Sequence, residues 1–300
     1  MDRIEAMVAL LEVVKAGSFS GAARTLGVPV TSLARKVSEL ETRLNARLLV
    51  RSTRSLSLTD AGADYVEAAR RIIEQVDEAE RALTGEYLEP RGDLVITAPT
   101  AFGRIHVVPV VADFLALYPN IDVRLLLTDA NLHFVDDRVD IAVRIGDLAD
   151  STLIATRVGD MRTVVCASPE YLAAVRRPDA PTDLRGLRCV TVGSLQRPTW
   201  RFTTPGSGRL TAVTITPRLS VTTTDAAVEA AIRGVGMAQL RFYQVADAVA
   251  SGGLRMVLEA YEPARLPIHV LHTSRDHVPV KARRFLEFVT PALRARVTRV

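Results

Sequence analysis

From Ile4 to Leu83 apolar residues recur mostly every three or four positions, whereas from Gly92 onward they gather into short runs separated by helical stretches. A chain with that change of period folds as a helical module followed by an α/β body. In the first part, Ile4, Met7, Val8, Leu11 and Val14 mark a core helix ending at Gly17-Ser18. Ser20 is placed to cap a short second helix, Gly21 to Leu26, and Gly27 stops it. Its Ala22 and Ala23 are small enough for another helix to cross closely. After the tight turn Gly27-Val28-Pro29-Val30, the residues Leu33, Val37, Leu40 and Leu44 form the buried stripe of a third helix. That stripe leaves Thr31, Ser32, Arg35 and Lys36 off the core, near the helix start.

Charge is unevenly spread along the chain. Residues 24 to 54 carry seven basic side chains against Glu39 and Glu41, although the whole chain has a net charge of only +4. From 64 to 89 the sign reverses, with eight acidic residues against Arg70, Arg71 and Arg81. A basic module followed by an acidic helix points to separate tasks, and the basic part fits an anionic partner. With 48% hydrophobic residues the chain has ample core material, which excludes intrinsic disorder and suits two or three domains. No apolar run approaches the ~20 residues of a membrane helix, and Asp2, Arg3, Glu5 and Glu12 interrupt the place of a secretory signal. A cytoplasmic location without a membrane partner is therefore expected.

Two helices joined by a short turn, the second exposing hydroxyls and basic side chains at its start, form the pattern of a helix-turn-helix. Small residues let such a helix approach base edges in the major groove. Thr31, Ser32, Arg35 and Lys36 can donate to those edges, and the helix N-terminus attracts phosphate. Residues 47 to 59 then alternate as a small hairpin, or wing, whose tip carries Arg51 and Arg54 for contacts with backbone phosphates.

The sequence here closely resembles the LysR-type transcriptional regulators. The resemblance rests on Gly17-Ser18-Phe19-Ser20-Gly21-Ala22-Ala23, Ser32-Leu33-Ala34-Arg35-Lys36-Val37, Leu40-Glu41, Leu44, Arg47-Leu48-Leu49, Arg51-Ser52-Thr53-Arg54 and Leu58-Thr59-Asp60-Ala61-Gly62. It implies a winged helix-turn-helix over 1–62, a linker helix and hinge over 63–90, and an effector domain over 91–300. That domain has the two-lobed periplasmic-binding-protein architecture, with lobe I near 91–162 and 268–300 and lobe II near 163–267. Pro29 and Val30 depart from the Ser and Gln frequent in the family, so base reading falls to Thr31, Ser32, Arg35 and Lys36.

Tyr65, Ala69, Ile72, Val76, Ala79 and Leu83 are spaced four, three, four, three and four apart, the a/d repeat of a coiled coil, with Thr59 as a helix cap. The repeat predicts pairing with a second copy, and the resemblance likewise implies a homodimer or homotetramer on a partly symmetric operator of double-stranded DNA. An activator of this kind would also meet RNA polymerase. Beyond Gly92, strands are expected at 93–98, 123–127, 141–145, 162–168, 237–240 and 268–272, with helices at 105–117, near Phe134 and at 281–293. The resemblance continues through Val139-Asp140-Ile141-Ala142-Val143-Arg144-Ile145-Gly146, Cys166-Ala167-Ser168-Pro169-Glu170-Tyr171-Leu172 and Thr224-Asp225-Ala226-Ala227.

Ligands of open α/β sheets bind at the carboxyl ends of strands, near helix N-termini. That rule selects the loops at Thr100, at Thr128 and at Thr222-Thr223-Thr224, whose hydroxyls and backbone donors suit a carboxylate or similar small anion. Arg144 or Arg201 can supply charge, and Phe102, Trp200 or Phe202 an apolar wall. The resemblance places effector contacts at the Thr100 and Thr128 loops. No resident cofactor or metal is expected. His269 and His272 point to opposite faces of a strand, Cys166 and Cys189 read as buried thiols, and Gly234-Val235-Gly236 follows a helix instead of opening one. No local catalytic signature is present, so enzymatic activity is not expected. The competing class is a solute-binding or enzymatic α/β protein with an accessory helical domain, because this fold hosts transport and catalysis as well.

Overall fold

The structure, a computed structural model, describes residues 2–51, 56–84, 89–130, 139–148, 153–193, 198–273 and 278–298. The chain divides into two compact units, Met1–Glu89 and Pro90–Val300.

In the first unit, α1 (Arg3–Ala16) is capped by Asp2, whose side chain accepts from the Ile4 N–H at 2.9 Å, and is ended by Gly17 in the left-handed conformation. Its most buried residues are Ala6, Ala9, Leu10 and Val13, so the core face is rotated from the expected Ile4, Met7, Val8, Leu11 and Val14, which are only partly buried. The helix is apolar nearly all round, and its alanines face inward because they admit neighbouring helices most closely. Helix α2 (Phe19–Leu26) is capped by Ser18 rather than Ser20: the Ser18 hydroxyl accepts from the Gly21 N–H at 3.0 Å.

Helix α3 (Val30–Leu44) buries Leu33, Val37 and Leu40 as expected. Leu44, however, is 38% exposed, and Glu41 takes the inner position at 5%. The wing is an antiparallel pair, β1 (Leu49–Arg51) and β2 (Leu56–Leu58), in which Leu49 faces Leu58 and Arg51 faces Leu56. Thr59 then caps α4 (Asp60–Thr84), accepting from the Gly62 N–H at 2.9 Å. Leu10, Leu33, Leu40 and Leu48 are almost wholly buried in one core, each contributing roughly 1.5–3 kcal/mol of transfer free energy.

The second unit runs β3 (Gly92–Ala98), α5 (Thr100–Leu117), β4 (Ile121–Leu127), β5 (Ile141–Ile145), β6 (Ile154–Met161), β7 (Thr163–Ala167), α6 (Pro169–Ala174), β8 (Cys189–Val192), β9 (Thr199–Thr203), β10 (Leu210–Thr214) and β11 (Pro217–Val221). It continues with α7 (Thr224–Ile232), β12 (Met237–Arg241), α8 (Phe242–Ala250), β13 (Arg255–Val257), β14 (Leu266–His272) and α9 (Val280–Val297). Two mixed five-stranded sheets result, ordered β4-β3-β5-β14-β6 and β11-β8-β12-β7-β13, one in each lobe. The chain passes from the first to the second at Arg162 and returns ahead of β14. Both crossings are tied together by Arg162, which donates to Glu262 through two nitrogens at 3.0 and 2.7 Å.

Helix α5 begins at Thr100, five residues before the expected Ile105, and contains a π-helical turn, Gly103–Val107. At 18 residues and mean hydropathy 1.4 it is long and apolar enough to cross a membrane. Its Phe102, Val107, Val110 and Phe114 are instead buried in the core of lobe I, where Phe114 meets Phe285 edge-on at 5.0 Å. The helix expected near Phe134 lies outside the described residues, as do Glu86, Tyr87 and Leu88 at the end of the expected linker and hinge. Strands β6, β8, β11 and β13 and the β9–β10 hairpin lie outside the expected strands: β6 has no strict alternation, and in the hairpin Trp200 and Phe202 are buried in lobe II.

Cys166 and Cys189 are both fully buried, and burial pushes each thiol up to about 12. They belong to cores on opposite faces of the lobe II sheet, an arrangement that prevents their pairing. Among the described residues no group of three or more His, Cys, Asp or Glu could hold a metal ion.

Candidate DNA-binding surface and effector cleft

Helix α3 is the second helix of the helix-turn-helix. Its inner stripe packs against α1 and α2, so Thr31 and Arg35 are left exposed one turn apart, with Ser32 half-buried beside them. Pro29 caps the helix without a side-chain hydrogen bond, leaving the first-turn N–H groups without a side-chain partner at this end. Arg35 makes one loose exposed contact, 3.8 Å to Glu39. Lys36 is placed differently: half-buried, its Nζ meets Glu5 Oε2 of α1 at 2.7 Å. Thr31, Ser32 and Arg35 thus share an accessible surface, and Lys36 is held at its border. Arg51 ends the first wing strand, its side chain outside the described residues, as is Arg54 entirely. Arg24, Arg43 and Arg47 are exposed on the same unit.

The expected dimer stripe separates into two parts. Ala69 has no exposed surface within the single chain, whereas Tyr65 is partly buried, packing one side against the helix-turn-helix core. Ile72, one turn on, is 38% exposed, and Val76 is half-buried. Ala79 and Leu83 continue the repeat on α4, with side chains outside those described.

In the second unit, Gly103 allows α5 to lie against the end of β4, because a Cβ there would come within 2.2 Å of Leu127 Cδ2. The approach brings the Thr100 and Thr128 loops together: the Thr100 N–H donates to Asp129 Oδ1 at 3.2 Å, and Thr128 Oγ1 accepts from the Ala130 N–H at 3.1 Å. Arg144, half-buried on β5, donates to the Val143 carbonyl at 2.9 Å and to Thr97 Oγ1 at 3.4 Å. Burial lowers its pKa, and the nearby Asp129 opposes that shift. On lobe II, Thr222 and Thr223 are exposed, and Thr223 caps α7 by accepting from the Ala226 N–H at 3.4 Å. Among the described residues an ion pair joins the two sides, Arg104 Nη2 to Asp225 Oδ1 at 3.0 Å.

Phe102 is not a wall of this cleft. It is fully buried, 4.7 Å from the His106 ring and edge-on to Tyr243 at 5.5 Å. Tyr243, at the start of α8, carries that contact between lobes, and burial pushes its hydroxyl up to about 12 against the opposing hydrogen bond from Gln244. Burial likewise lowers the pKa of His106 to about 4, keeping it neutral beside Phe102. Trp200 and Phe202 are core residues of lobe II, and Arg201 lies exposed on their hairpin. The cleft residues outside the sequence reading are Arg104, Asp225 and Tyr243. Arg104 was within reach of it, one helical turn after Thr100, whereas nothing local to Tyr243 signals its place.

These features define a winged helix-turn-helix followed by a two-lobed ligand-binding domain. A model of the bacterial regulatory helix-turn-helix proteins of the lysR family matches residues 4–63, and one of the LysR substrate binding domain matches 88–294. The chain is 33% identical to an HTH-type transcriptional repressor of Pseudomonas aeruginosa, over 96% of this chain and 92% of that protein. It is 30% identical to the HTH-type transcriptional activator AaeR of Escherichia coli, over 97% and 94%. Among solved structures, CrgA, a LysR-type transcriptional regulator from Neisseria meningitidis, superposes with a TM-score of 0.60 at 31% identity, covering 98% of this chain and 99% of that one. The chain belongs to the LysR family of transcriptional regulators. The solute-binding or enzymatic reading has no counterpart among these relatives, which include a repressor and an activator.

Proposed function

We propose that the protein binds a partly symmetric operator as a homodimer or homotetramer, in the cytoplasm, and that a small anionic effector held between its two lobes alters the spacing of its DNA-binding heads. Thr31, Ser32 and Arg35 read bases, with Lys36 at the edge of that surface, and Arg51 and Arg54 hold phosphates. Thr100, Thr128 and Arg144 on lobe I and Thr222 and Thr223 on lobe II receive the effector. If regulation is by activation, RNA polymerase is the further partner. The observation that carries the effector reading is the Arg104–Asp225 pair, which sets the Thr100 loop of one lobe opposite the Thr223 cap of the other. A ligand touching both sides selects one closure angle to the extent that its affinity differs between the two angles.

Thr100→Val removes one exposed hydroxyl at nearly constant volume. Operator binding without effector is expected to be unchanged, and the effector-induced change in the footprint to weaken. The loss of one hydrogen bond to an anionic group corresponds to about 1.5–3 kcal/mol of effector affinity. An undiminished response with unchanged effector affinity would remove this loop from the site. Arg51→Ala is expected to weaken binding to all DNA sequences alike and to flatten the salt dependence by about one unit of slope. Titrations of operator and scrambled DNA at several salt concentrations measure both; a loss confined to the operator would assign Arg51 to base reading instead.

A further inference from the structure

Glu41 is the one buried charged side chain among the described residues of the first unit. It lies on the recognition helix, but its partners are in the wing. Its Oε1 accepts from the backbone N–H groups of Leu48 at 2.7 Å and Leu49 at 3.1 Å, where β1 opens. Its Oε2 faces Arg47 Nη1 at 3.8 Å. The same short segment is gripped from the other side by Thr59, whose hydroxyl donates to the Arg47 carbonyl at 2.6 Å and accepts from the Gly62 N–H in the first turn of α4 at 2.9 Å. Gly62 is required there, because a Cβ would stand 2.0 Å from the Leu48 carbonyl oxygen. Residues 47–49 are therefore the point at which recognition helix, wing and linker helix are fastened to one another.

Desolvating a carboxylate is costly unless hydrogen bonds replace its water, and α3 could have closed its core with an apolar residue at this position. Leu44, the apolar side chain of the next turn, is instead turned outward. We propose that Glu41 is a positioning residue for DNA recognition: an acceptor on the recognition helix that sets where the wing begins, and so where Arg51 stands relative to Thr31, Ser32 and Arg35. The proposal rests on the reading that the wing meets the DNA backbone. What the position needs is an acceptor oxygen at the reach of a glutamate side chain. Glutamine keeps that oxygen without the charge, aspartate keeps the charge on a side chain one methylene shorter, and leucine keeps neither.

The test uses the full chain carrying Glu41→Gln, Glu41→Asp or Glu41→Leu, with two readouts. The first, without DNA, is hydrogen exchange at the Leu48 and Leu49 amides. The second is the salt dependence of operator binding together with its preference among operators changed at single bases. Glu41→Gln is expected to match the wild type in both. Glu41→Asp and Glu41→Leu should lose protection at the two amides and flatten the salt slope by about one to two, the loss of one or both wing phosphate contacts, while base preference stays. Should the leucine variant fail to fold, the glutamine and aspartate variants decide the matter by themselves. Wild-type behaviour in Glu41→Asp with loss in Glu41→Gln would overturn the proposal, since charge rather than acceptor reach would then matter. Unchanged protection in a folded Glu41→Leu would overturn it too. A wild-type salt slope in Arg51→Ala would overturn the wing reading and the DNA half of the proposal with it, whereas the amide protection tests the fastening separately.

Discussion

Ile72→Glu is expected to dissociate the oligomer and to remove operator binding in the same step. Ile72 is a large apolar side chain, 38% exposed on a single chain, on the helix whose repeat continues through Val76 to Leu83. Its exposure means that a glutamate there leaves the folded chain intact. In a paired helix the same change puts two like charges into one seam, and burying them unpaired costs several kcal/mol each. Two linked heads bind two half-sites with an avidity of about 10²–10⁴ over one head alone, so losing the pair forfeits that factor. Sedimentation velocity and operator titration on the same sample read both effects. An unchanged sedimentation coefficient would move the seam elsewhere.

The second large effect is expected from Arg35→Ala. The Arg35 side chain is 74% exposed and its contact with Glu39, at 3.8 Å, is an exposed i,i+4 pair worth only a few tenths of a kcal/mol. Almost nothing therefore holds it back from DNA, and its removal leaves the helix undisturbed. An arginine that bonds a guanine edge through two nitrogens contributes about 1–3 kcal/mol of discrimination at that base, so the variant should bind roughly tenfold to a hundredfold more weakly and accept substitutions at one operator position. Competition among operators changed one base pair at a time measures this. A uniform loss over all sequences would make Arg35 a phosphate contact.

Much of the helix-turn-helix was legible because its signals are local. Gly17 and Gly27 stop helices by adopting the left-handed conformation, at φ 64° and 65°, and the α3 stripe depends only on the helical repeat. What escaped depends on which neighbour a face meets. The four-three repeat from Tyr65 states that one face of α4 is apolar but not what covers it, and of its first two members Ala69 is covered by the chain itself and Tyr65 partly so. Glu41 reads as one more solvated charge until the wing folds back onto α3 and presents two N–H groups to it. In the second unit the rule of strand carboxyl ends led to Thr100, Thr128 and Thr223, since it follows from topology. Phe102, although only two residues after Thr100, points into the core because helical geometry turns the chain by about 100° per residue. Tyr243 reaches the cleft only through tertiary packing, 141 residues beyond Phe102 in sequence.

Binding of the wild-type chain to DNA from upstream of its own gene, titrated over a range of salt against scrambled DNA of the same length, tests the central claim most directly. The account predicts a specific complex at least about 10³-fold tighter than the scrambled competitor, with an affinity that falls linearly on a log–log plot against salt. Equal affinity for both DNAs at every salt concentration would contradict it.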